Sequence, residues 1–194
     1  MKREPIRGKL LAAAHHPADL PKLRPVVALV GRSNVGKSSL LNRLLGVAAA
    51  RTSKKPGRTR GIYFYETGQG HYLADLPGIG FARVPPEERQ GWKALTDAFF
   101  THGGVELVLR LVDPRAPDAE ADAAVRDYLA DLGIASITVA TKWDRLKPSQ
   151  RPAARAFLEA RHGEVVPASA KSGEGIEILR RLIRRRIAKD GSDG

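Results

Sequence analysis

The chain has 194 residues, a length that suits one α/β domain and is short for two. With 33 Lys plus Arg against 21 Asp plus Glu, its formal net charge is +12, which favours a polyanionic partner such as nucleic acid. The absence of cysteine excludes disulfides and Cys-ligated zinc, and the lack of a signal-like or long apolar segment predicts a cytoplasmic protein with no membrane association.

Residues 1–25 predict a basic, extended N-terminal arm. Prolines interrupt any regular pattern in this stretch, and six of its side chains are basic: Lys2, Arg3, Arg7, Lys9, Lys22 and Arg24. We expect a single folded domain over residues 26–189 and a flexible tail over residues 190–194.

Residues 31–38 read Gly-Arg-Ser-Asn-Val-Gly-Lys-Ser, which is the spacing of a phosphate-binding loop. The two glycines let successive backbone N–H groups point at phosphate oxygens, Lys37 reaches the β and γ phosphates, and Ser38 offers its hydroxyl to Mg²⁺. An apolar run, residues 26–30, predicts a buried strand before the loop. Leucines at helical spacing predict a helix after it, with its positive dipole end towards the anion.

Two further segments are typical of loops that respond to a γ-phosphate. The basic loop of residues 47–60 contains Thr59, whose hydroxyl is placed to complete the Mg²⁺ shell only when a γ-phosphate is present. Residues 61–65 and 71–74 predict a hairpin, which puts one antiparallel strand at a sheet edge. Asp75 then follows a strand and is placed to hold Mg²⁺ through water, while the Gly78 N–H is placed to sense the γ-phosphate.

Strands and helices alternate along the rest of the chain. After a loop that reaches about residue 90, the pattern predicts helices over residues 119–132, 152–161 and 176–188, a helix around Trp92, and strands over residues 105–112, 134–140 and 164–167. The sequence therefore predicts an α/β three-layer fold with a mostly parallel six-stranded sheet, one antiparallel edge strand and helices on both faces.

The tetrapeptide Thr141-Lys142-Trp143-Asp144 predicts a guanine site. An aspartate at the end of an apolar strand can accept hydrogen bonds from N1–H and the 2-amino group of guanine, neither of which adenine offers. Lys142 is expected to lay its stem across the base. Ser169-Ala170-Lys171, after the last strand, is expected to direct backbone N–H groups at the guanine O6.

Taken together, these motifs resemble the EngB family of bacterial GTPases, from about residue 25 to the end of the chain. The segments that carry the resemblance are residues 31–39, 56–60, 75–82, Trp92, Asp113-Pro114-Arg115, 141–144 and 169–171. The resemblance implies a monomeric, Ras-like P-loop GTPase that binds ribosomal RNA or precursors of the large ribosomal subunit in its GTP state. Two residues depart from the expected patterns: Ile79 replaces an aromatic residue, and Thr141 replaces the asparagine of GTPases in general.

The resemblance also implies the site residues. We expect contacts to GTP or GDP from Gly31, Arg32, Ser33, Asn34, Val35, Gly36, Lys37, Ser38, Ser39, Pro56, Gly57, Arg58, Thr59, Asp75, Pro77, Gly78, Thr141, Lys142, Asp144, Ser169, Ala170 and Lys171. Mg²⁺ is assigned to Ser38, Thr59 and Asp75. The residues expected to act in hydrolysis are Lys37, Thr59, Gly78 and Asn34.

The catalytic group that orients water is less defined. Ras-like GTPases use a glutamine where this chain has Ile79, and an apolar side chain cannot polarise water, so we expect slow intrinsic hydrolysis. One hypothesis is that Asn34 helps to hold a K⁺ ion, as the similar asparagine does in related K⁺-stimulated GTPases. The alternatives are that Arg58 or Arg60 neutralises transition-state charge, and that Asn34 is a loop residue tolerating unusual backbone angles.

Three basic stretches favour an RNA partner: the arm, residues 51–60, and the last helix with Arg180, Arg181, Arg184, Arg185, Arg186 and Lys189. Two other function classes stay open. An ATPase or small-molecule kinase uses the same phosphate loop, and a non-enzymatic RNA-binding protein can keep a vestigial nucleotide site. Competition between GTP and ATP for binding tests the ATPase or kinase alternative. A phosphate-release assay tests the non-enzymatic alternative.

Overall fold

The chain folds around a seven-stranded sheet with helices on both faces. The computed structural model describes residues 8–49, 61–78, 86–102, 104–115 and 119–190. The strands are β1 (Lys9–Ala14), β2 (Val26–Gly31), β3 (Ile62–Glu66), β4 (Tyr72–Asp75), β5 (Val105–Val112), β6 (Ser136–Ala140) and β7 (Val165–Pro167). The helices are α1 (Lys37–Leu45), α2 (Pro86–His102), α3 (Ala119–Asp131), α4 (Arg151–His162) and α5 (Ile176–Asp190).

The α/β three-layer fold with a mostly parallel sheet is confirmed, and β3 is the predicted antiparallel strand, but the sheet has seven strands rather than six and β3 is not its edge. The sheet order is β1-β3-β4-β2-β5-β6-β7, and the additional strand comes from the stretch predicted as an extended arm. β1 pairs antiparallel with β3, from Lys9 opposite Glu66 to Ala14 opposite Ile62. Its sequence, KLLAAA, lacks the alternation of a half-buried strand and consists mainly of good helix formers, so pairing with β3 decides its conformation.

The helix predicted to follow residue 90 also begins earlier than expected. α2 starts at Pro86, the second of two consecutive prolines. Proline is well suited to the first turn of a helix, because the N–H that it lacks would have no partner within the helix. Within the part of the chain that is described, no helix is long and apolar enough to span a membrane.

The central strand β2 separates two apolar layers. Every residue of β2 is buried, as the continuous apolar run predicted for a strand covered on both faces. Val27 and Leu29 pack with the leucines of α1 and with the apolar side of α5. Val26 and Ala28 pack on the opposite face with residues of α2 and α3.

Five neighbouring strands, β4, β2, β5, β6 and β7, pair parallel with one another, so their carboxyl ends meet at one edge of the sheet. β2 pairs parallel with β4 and β5, β5 with β6, and β6 with β7. The turn between β3 and β4 lies at the opposite edge, where the Thr67 hydroxyl donates to the His71 carbonyl over 2.6 Å. Gly68 and Gly70 in this turn have φ values of +67° and +75°. The motifs for phosphate and base all follow strands at the first edge.

Candidate guanine nucleotide site

The phosphate-binding loop follows β2 directly and leads into α1. Gly31 ends the strand, and a Cβ atom there would lie 2.7 Å from the Leu111 carbonyl oxygen, so the neighbouring strand leaves no room for a side chain. Gly36 caps α1 with a φ of +112°, a conformation that L residues with side chains rarely adopt. Both glycines are therefore needed for the loop to curl tightly between β5 and the first turn of α1.

Lys37 is buried at the start of α1, and its ammonium group lies inside the loop. Its Nζ donates to the carbonyl oxygens of Gly31 at 2.9 Å and Arg32 at 3.2 Å. Burial lowers the pKa of Lys37, and the nearby Asp75 carboxylate partly opposes that change. An ammonium group has three donors, so the loop carbonyls use two and one remains for a phosphate oxygen.

Ser38 and Asp75 come together at the carboxyl ends of β2 and β4. The Ser38 hydroxyl donates to Asp75 Oδ2 over 2.9 Å, while Asp75 Oδ1 is buried and has no hydrogen-bond partner. Burial raises the pKa of Asp75, against the opposing effects of Lys37 and Ser38. A buried carboxylate oxygen without a partner, next to a hydroxyl, fits Mg²⁺, because Mg²⁺ prefers oxygen ligands and commonly takes one or two carboxylates with phosphates and water.

Gly78 lies against the phosphate-binding loop. A Cβ atom on Gly78 would lie 2.7 Å from Ser33 Oγ and 2.9 Å from the Ser33 backbone nitrogen. Pro77, just before it, is buried. This close approach brings the end of the Asp75-Leu76-Pro77-Gly78 segment to the loop that would hold the γ-phosphate.

Thr141 and Lys142 directly follow β6 and link this strand to the phosphate-binding loop. The Thr141 hydroxyl donates to the Val35 carbonyl at 2.7 Å and lies 3.1 Å from the Val112 carbonyl. Lys142, with a φ of +53°, donates from Nζ to the Asn34 carbonyl at 2.5 Å. Thr141 thus makes the connection to the loop through its hydroxyl, which explains how threonine serves where an asparagine was expected.

Asp144 and Ser169 are linked directly, which the sequence did not predict. The Ser169 hydroxyl, which is buried, donates to Asp144 Oδ1 over 2.6 Å and accepts from the Ser172 N–H. The second carboxylate oxygen of Asp144 stays available for a base. Ala170 is half-buried and Lys171 exposed beside this contact.

A second unpredicted contact involves the end of β5. Asp113 Oδ2 accepts from Lys142 Nζ at 3.0 Å, and Arg115 binds the same carboxylate through Nε at 3.0 Å and Nη2 at 2.7 Å. Asp113-Pro114-Arg115 was a marker of family resemblance with no assigned role. No local signal identifies this pair as part of the site, because Lys142 is 29 positions away along the chain.

The remaining predicted residues divide into two groups. Arg32, Ser33, Asn34 and Val35 lie in the loop between β2 and α1, and Ser39 is exposed on the first turn of α1. Asn34 has a φ of +62°, a left-handed conformation that asparagine tolerates better than most residues. Pro56, Gly57, Arg58, Thr59 and Ile79 lie outside the described residues.

Known proteins with similar sequences are GTP-binding proteins. A family model described as "50S ribosome-binding GTPase" matches residues 26–142. The probable GTP-binding protein EngB of Thermotoga maritima is 41% identical over 184 residues, which cover 90% of this chain and 93% of that protein. The protein of the same description from Gemmatimonas aurantiaca is 41% identical over 170 residues, covering 84% and 83%.

Solved structures support the same assignment. The crystal structure of a probable GTP-binding protein EngB has a TM-score of 0.68 and 29% identity, covering 84% of this chain and 99% of that one. Era from Aquifex aeolicus, solved with GDP and AlF4⁻, shares the fold with a TM-score of 0.67 at 24% identity, covering 84% of this chain and 56% of that one. On its sequence matches and its fold, the chain belongs to the EngB family of GTP-binding proteins, within the P-loop GTPases.

Proposed function

We propose that this protein hydrolyses GTP to GDP and phosphate, and that it acts as a switch in assembly of the large ribosomal subunit. One observation carries the guanine assignment: Asp144 is held by Ser169 with one carboxylate oxygen still available, on the same sheet edge as the Lys37 and Ser38 phosphate site. A carboxylate so placed selects guanine, since adenine would leave it unpaired.

The described residues support binding of Mg²⁺ with the nucleotide. Lys37 contributes positive charge and a free donor towards the phosphates, and Ser38 and Asp75 supply oxygen ligands directly or through water. When bound, Mg²⁺ neutralises charge between the β and γ phosphates. We assign Thr59 as the ligand present only with a γ-phosphate, and Gly78 as the N–H that senses the same group.

Hydrolysis needs a group that replaces the glutamine of Ras-like proteins. We propose that Asn34 helps to hold K⁺ beside the phosphates, with Arg58 or Arg60 as the alternative source of positive charge. The left-handed backbone of Asn34 accounts for asparagine at this position without K⁺, so the ion must be tested directly. We expect faster turnover in KCl than in NaCl, and equal rates in the two salts would remove Asn34 from the catalytic residues.

The proposed partner is RNA of the large ribosomal subunit or its precursors. The exposed side of α5 carries Arg181 and Arg185, and Arg184 is half-buried between them. A helix face of this kind can contact phosphates, and such binding weakens steeply as the salt concentration rises, because association releases counterions from the nucleic acid. The family model, described as a ribosome-binding GTPase, supports the same partner. A cytoplasmic protein that acts as a monomer is consistent with this role.

Guanine recognition is tested by exchanging the group that reads the base. Asp144→Asn replaces an acceptor by a donor, so we expect the variant to lose affinity for GTP and gain it for XTP, whose base offers an oxygen in place of the 2-amino group. Fluorescent nucleotide titrations measure both affinities. Tighter binding of ATP than GTP by the unaltered protein would instead favour an ATPase or kinase.

The ribosomal role is tested by co-sedimentation with large subunits across a salt series, in GDP and in a non-hydrolysable GTP analogue. We expect stronger, salt-sensitive binding with the GTP analogue, and weaker binding after Arg181→Ala with Arg185→Ala. The matched control is Arg155→Ala with Arg161→Ala on α4, which removes the same charge from two other exposed positions. Binding without phosphate release from GTP, even with subunits present, would indicate an RNA-binding protein with a vestigial nucleotide site.

A further inference from the structure

The geometry points to Asp113 and Arg115 as positioning residues that hold Lys142 in place for the guanine nucleotide. Neither residue is expected to touch the phosphates or to take part in hydrolysis. The inference rests on the proposed guanine nucleotide site, and it adds a third layer to that site: Arg115 orients Asp113, Asp113 orients Lys142, and Lys142 meets the nucleotide.

The first step is the contact between Asp113 and Lys142. Lys142 Nζ lies 3.0 Å from Asp113 Oδ2 and 2.5 Å from the Asn34 carbonyl, so the ammonium group joins the end of β5 to the phosphate-binding loop. The stem of Lys142 crosses the same loop, because Cε lies 3.9 Å from where a Cβ on Gly36 would be. Asp113 therefore fixes the far end of a side chain whose stem lies beside the nucleotide site.

The second step is the fork between Arg115 and Asp113. Nε and Nη2 of Arg115 bind the two oxygens of Asp113, and the Arg115 N–H donates to Oδ1 at 3.1 Å. Paired donors of this kind define the plane of a carboxylate as well as its position. The Asp113 side chain is largely buried, with 13% of its surface exposed, whereas Arg115 reaches solvent.

The electrostatic environment keeps the Asp113 carboxylate ionised. Burial alone would raise its pKa, but hydrogen bonds from Arg115 and Lys142 outweigh that effect and lower the pKa to about 2. Arg115 also lies near Asp144, which adds to the raised pKa of its guanidinium group. Asp113 thus offers Lys142 an ionised carboxylate at neutral pH, and the guanidinium group of Arg115 balances part of that charge.

The expected effect is on nucleotide release. A lysine stem has many rotamers, and fixing it before the nucleotide binds removes an entropic cost from binding. We expect Arg115→Ala to raise the dissociation rate of fluorescent GDP about fivefold, equivalent to about 1 kcal/mol. Asp113→Asn should have at least the same effect. Single-turnover hydrolysis of bound GTP should stay close to that of the unaltered protein, whereas Asp113→Asn should lower the melting temperature at neutral pH, because the folded chain favours the ionised carboxylate.

A double-mutant cycle separates positioning from direct contact. If Arg115 acts through Asp113, Arg115→Ala adds no further increase in the dissociation rate when Asp113→Asn is already present. The dissociation rate of Arg115→Lys should lie between those of the unaltered protein and Arg115→Ala, because lysine keeps the charge but lacks the planar fork. The control is Arg155→Ala, which breaks an exposed 2.7 Å pair with Glu159 on α4 and should leave release unchanged.

Three results would overturn the inference in distinguishable ways. Additive effects in the cycle would mean that Arg115 contacts the nucleotide itself. Unchanged release from both variants, with normal GDP binding by the unaltered protein, would remove the positioning role and leave the proposed function intact. Failure of the unaltered protein to bind guanine nucleotides would overturn this inference and the proposed function together.

Discussion

At the scale of single residues, the candidate site contains charged groups that are buried. Lys37 and Asp75 are both buried at the phosphate end, and burial shifts the pKa of each towards its neutral form. Burying these two charged groups does not stabilise the apolar core, because burial disfavours the charged form of each. In the proposed function, the cost of burying them would be offset on binding of phosphate and Mg²⁺, since each charged group would then gain a partner of opposite charge.

Asp75→Asn should therefore separate stability from metal binding. Burial raises the pKa of Asp75 in the folded chain above its value in the unfolded chain. The unfolded chain therefore releases this proton more readily, and the free energy of unfolding falls as the pH rises from the ordinary pKa of an aspartate towards the raised one. With EDTA and no nucleotide at neutral pH, we expect the variant to melt at a higher temperature, because asparagine can still accept from Ser38. Magnesium-dependent GTP affinity should fall at least tenfold. A lower melting temperature would show that the Lys37–Asp75 attraction dominates.

Gly78→Ala tests the contact between the Asp75-Leu76-Pro77-Gly78 segment and the phosphate-binding loop. The added methyl group would lie 2.9 Å from the Ser33 backbone nitrogen, so one of the two segments must move. We expect the affinity for a non-hydrolysable GTP analogue to fall about tenfold, with GDP affinity changed much less. Titrations with both nucleotides measure the difference.

Gly91→Ala provides the control for this substitution. Gly91 lies in α2, where an added Cβ meets no atom within 4 Å, and the change to alanine should stabilise the helix by up to about 1 kcal/mol. Its nucleotide affinities should match those of the unaltered protein. Equal losses of GTP and GDP affinity in Gly78→Ala would argue for general damage to the loop.

At the scale of elements, α1 is held at both of its ends. Its first turn carries Lys37 and Ser38, and its last turn is bound by Arg180 of α5, whose Nη2 donates to the Arg43 and Leu44 carbonyls at 3.1 Å each. Carbonyls in the last turn of a helix have no partner within it, and a cation there also favours the helix dipole. Glu177 orients the guanidinium group over 2.6 Å.

Arg180→Ala should accordingly lower the free energy of unfolding by about 1–2 kcal/mol, the range for hydrogen bonds to a charged group. Urea titration measures the change. Arg181→Ala is the matched control, since it removes the same charge from the next, exposed position and should alter stability by less than about 0.5 kcal/mol. Equal effects from the two variants would attribute the loss to net charge on α5.

Elements and contacts differ in how far the sequence predicts them. The phosphate loop, the Asp75 segment and the Asp144 segment were predictable because each motif is contiguous and follows an apolar strand. The bond from Ser169 to Asp144 and the one from Lys142 to Asp113 join positions 25 and 29 apart, and only the packing of β5, β6 and β7 brings them together. β1 was missed because pairing with β3 outweighs the helical preference of leucine and alanine.

At the scale of the whole molecule, the strands that lead into the candidate site are distinct from the strand that covers the edge of the sheet. The base and phosphate motifs follow β2, β4, β6 and β7, whereas β1 lies at the far edge beyond β3. β1 buries little apart from Ala14, and its main contribution is to pair the outer side of β3. An unpaired β3 would offer a free edge, and free edges promote association between chains.

Removal of residues 1–14 should therefore lower the melting temperature and promote aggregation while leaving GDP affinity nearly unchanged. Removal of residues 1–7 alone, which precede β1, is the control and should preserve the melting temperature. Light scattering during heating and fluorescent GDP titration measure the two properties. Loss of GDP affinity in the longer truncation, without loss of folded protein, would mean that β1 contributes to the site.

The hairpin turn of residues 67–71 has a practical consequence. It lies at the sheet edge opposite the nucleotide site, and its two glycines, Gly68 and Gly70, are exposed with no atom within 4 Å of an added Cβ. Exposed turns of small residues are the positions that best accept inserted sequence. A short epitope or fluorophore-binding tag placed between Gly68 and Gly70 would label the protein without obstructing the nucleotide site, which suits it for following particle binding in real time.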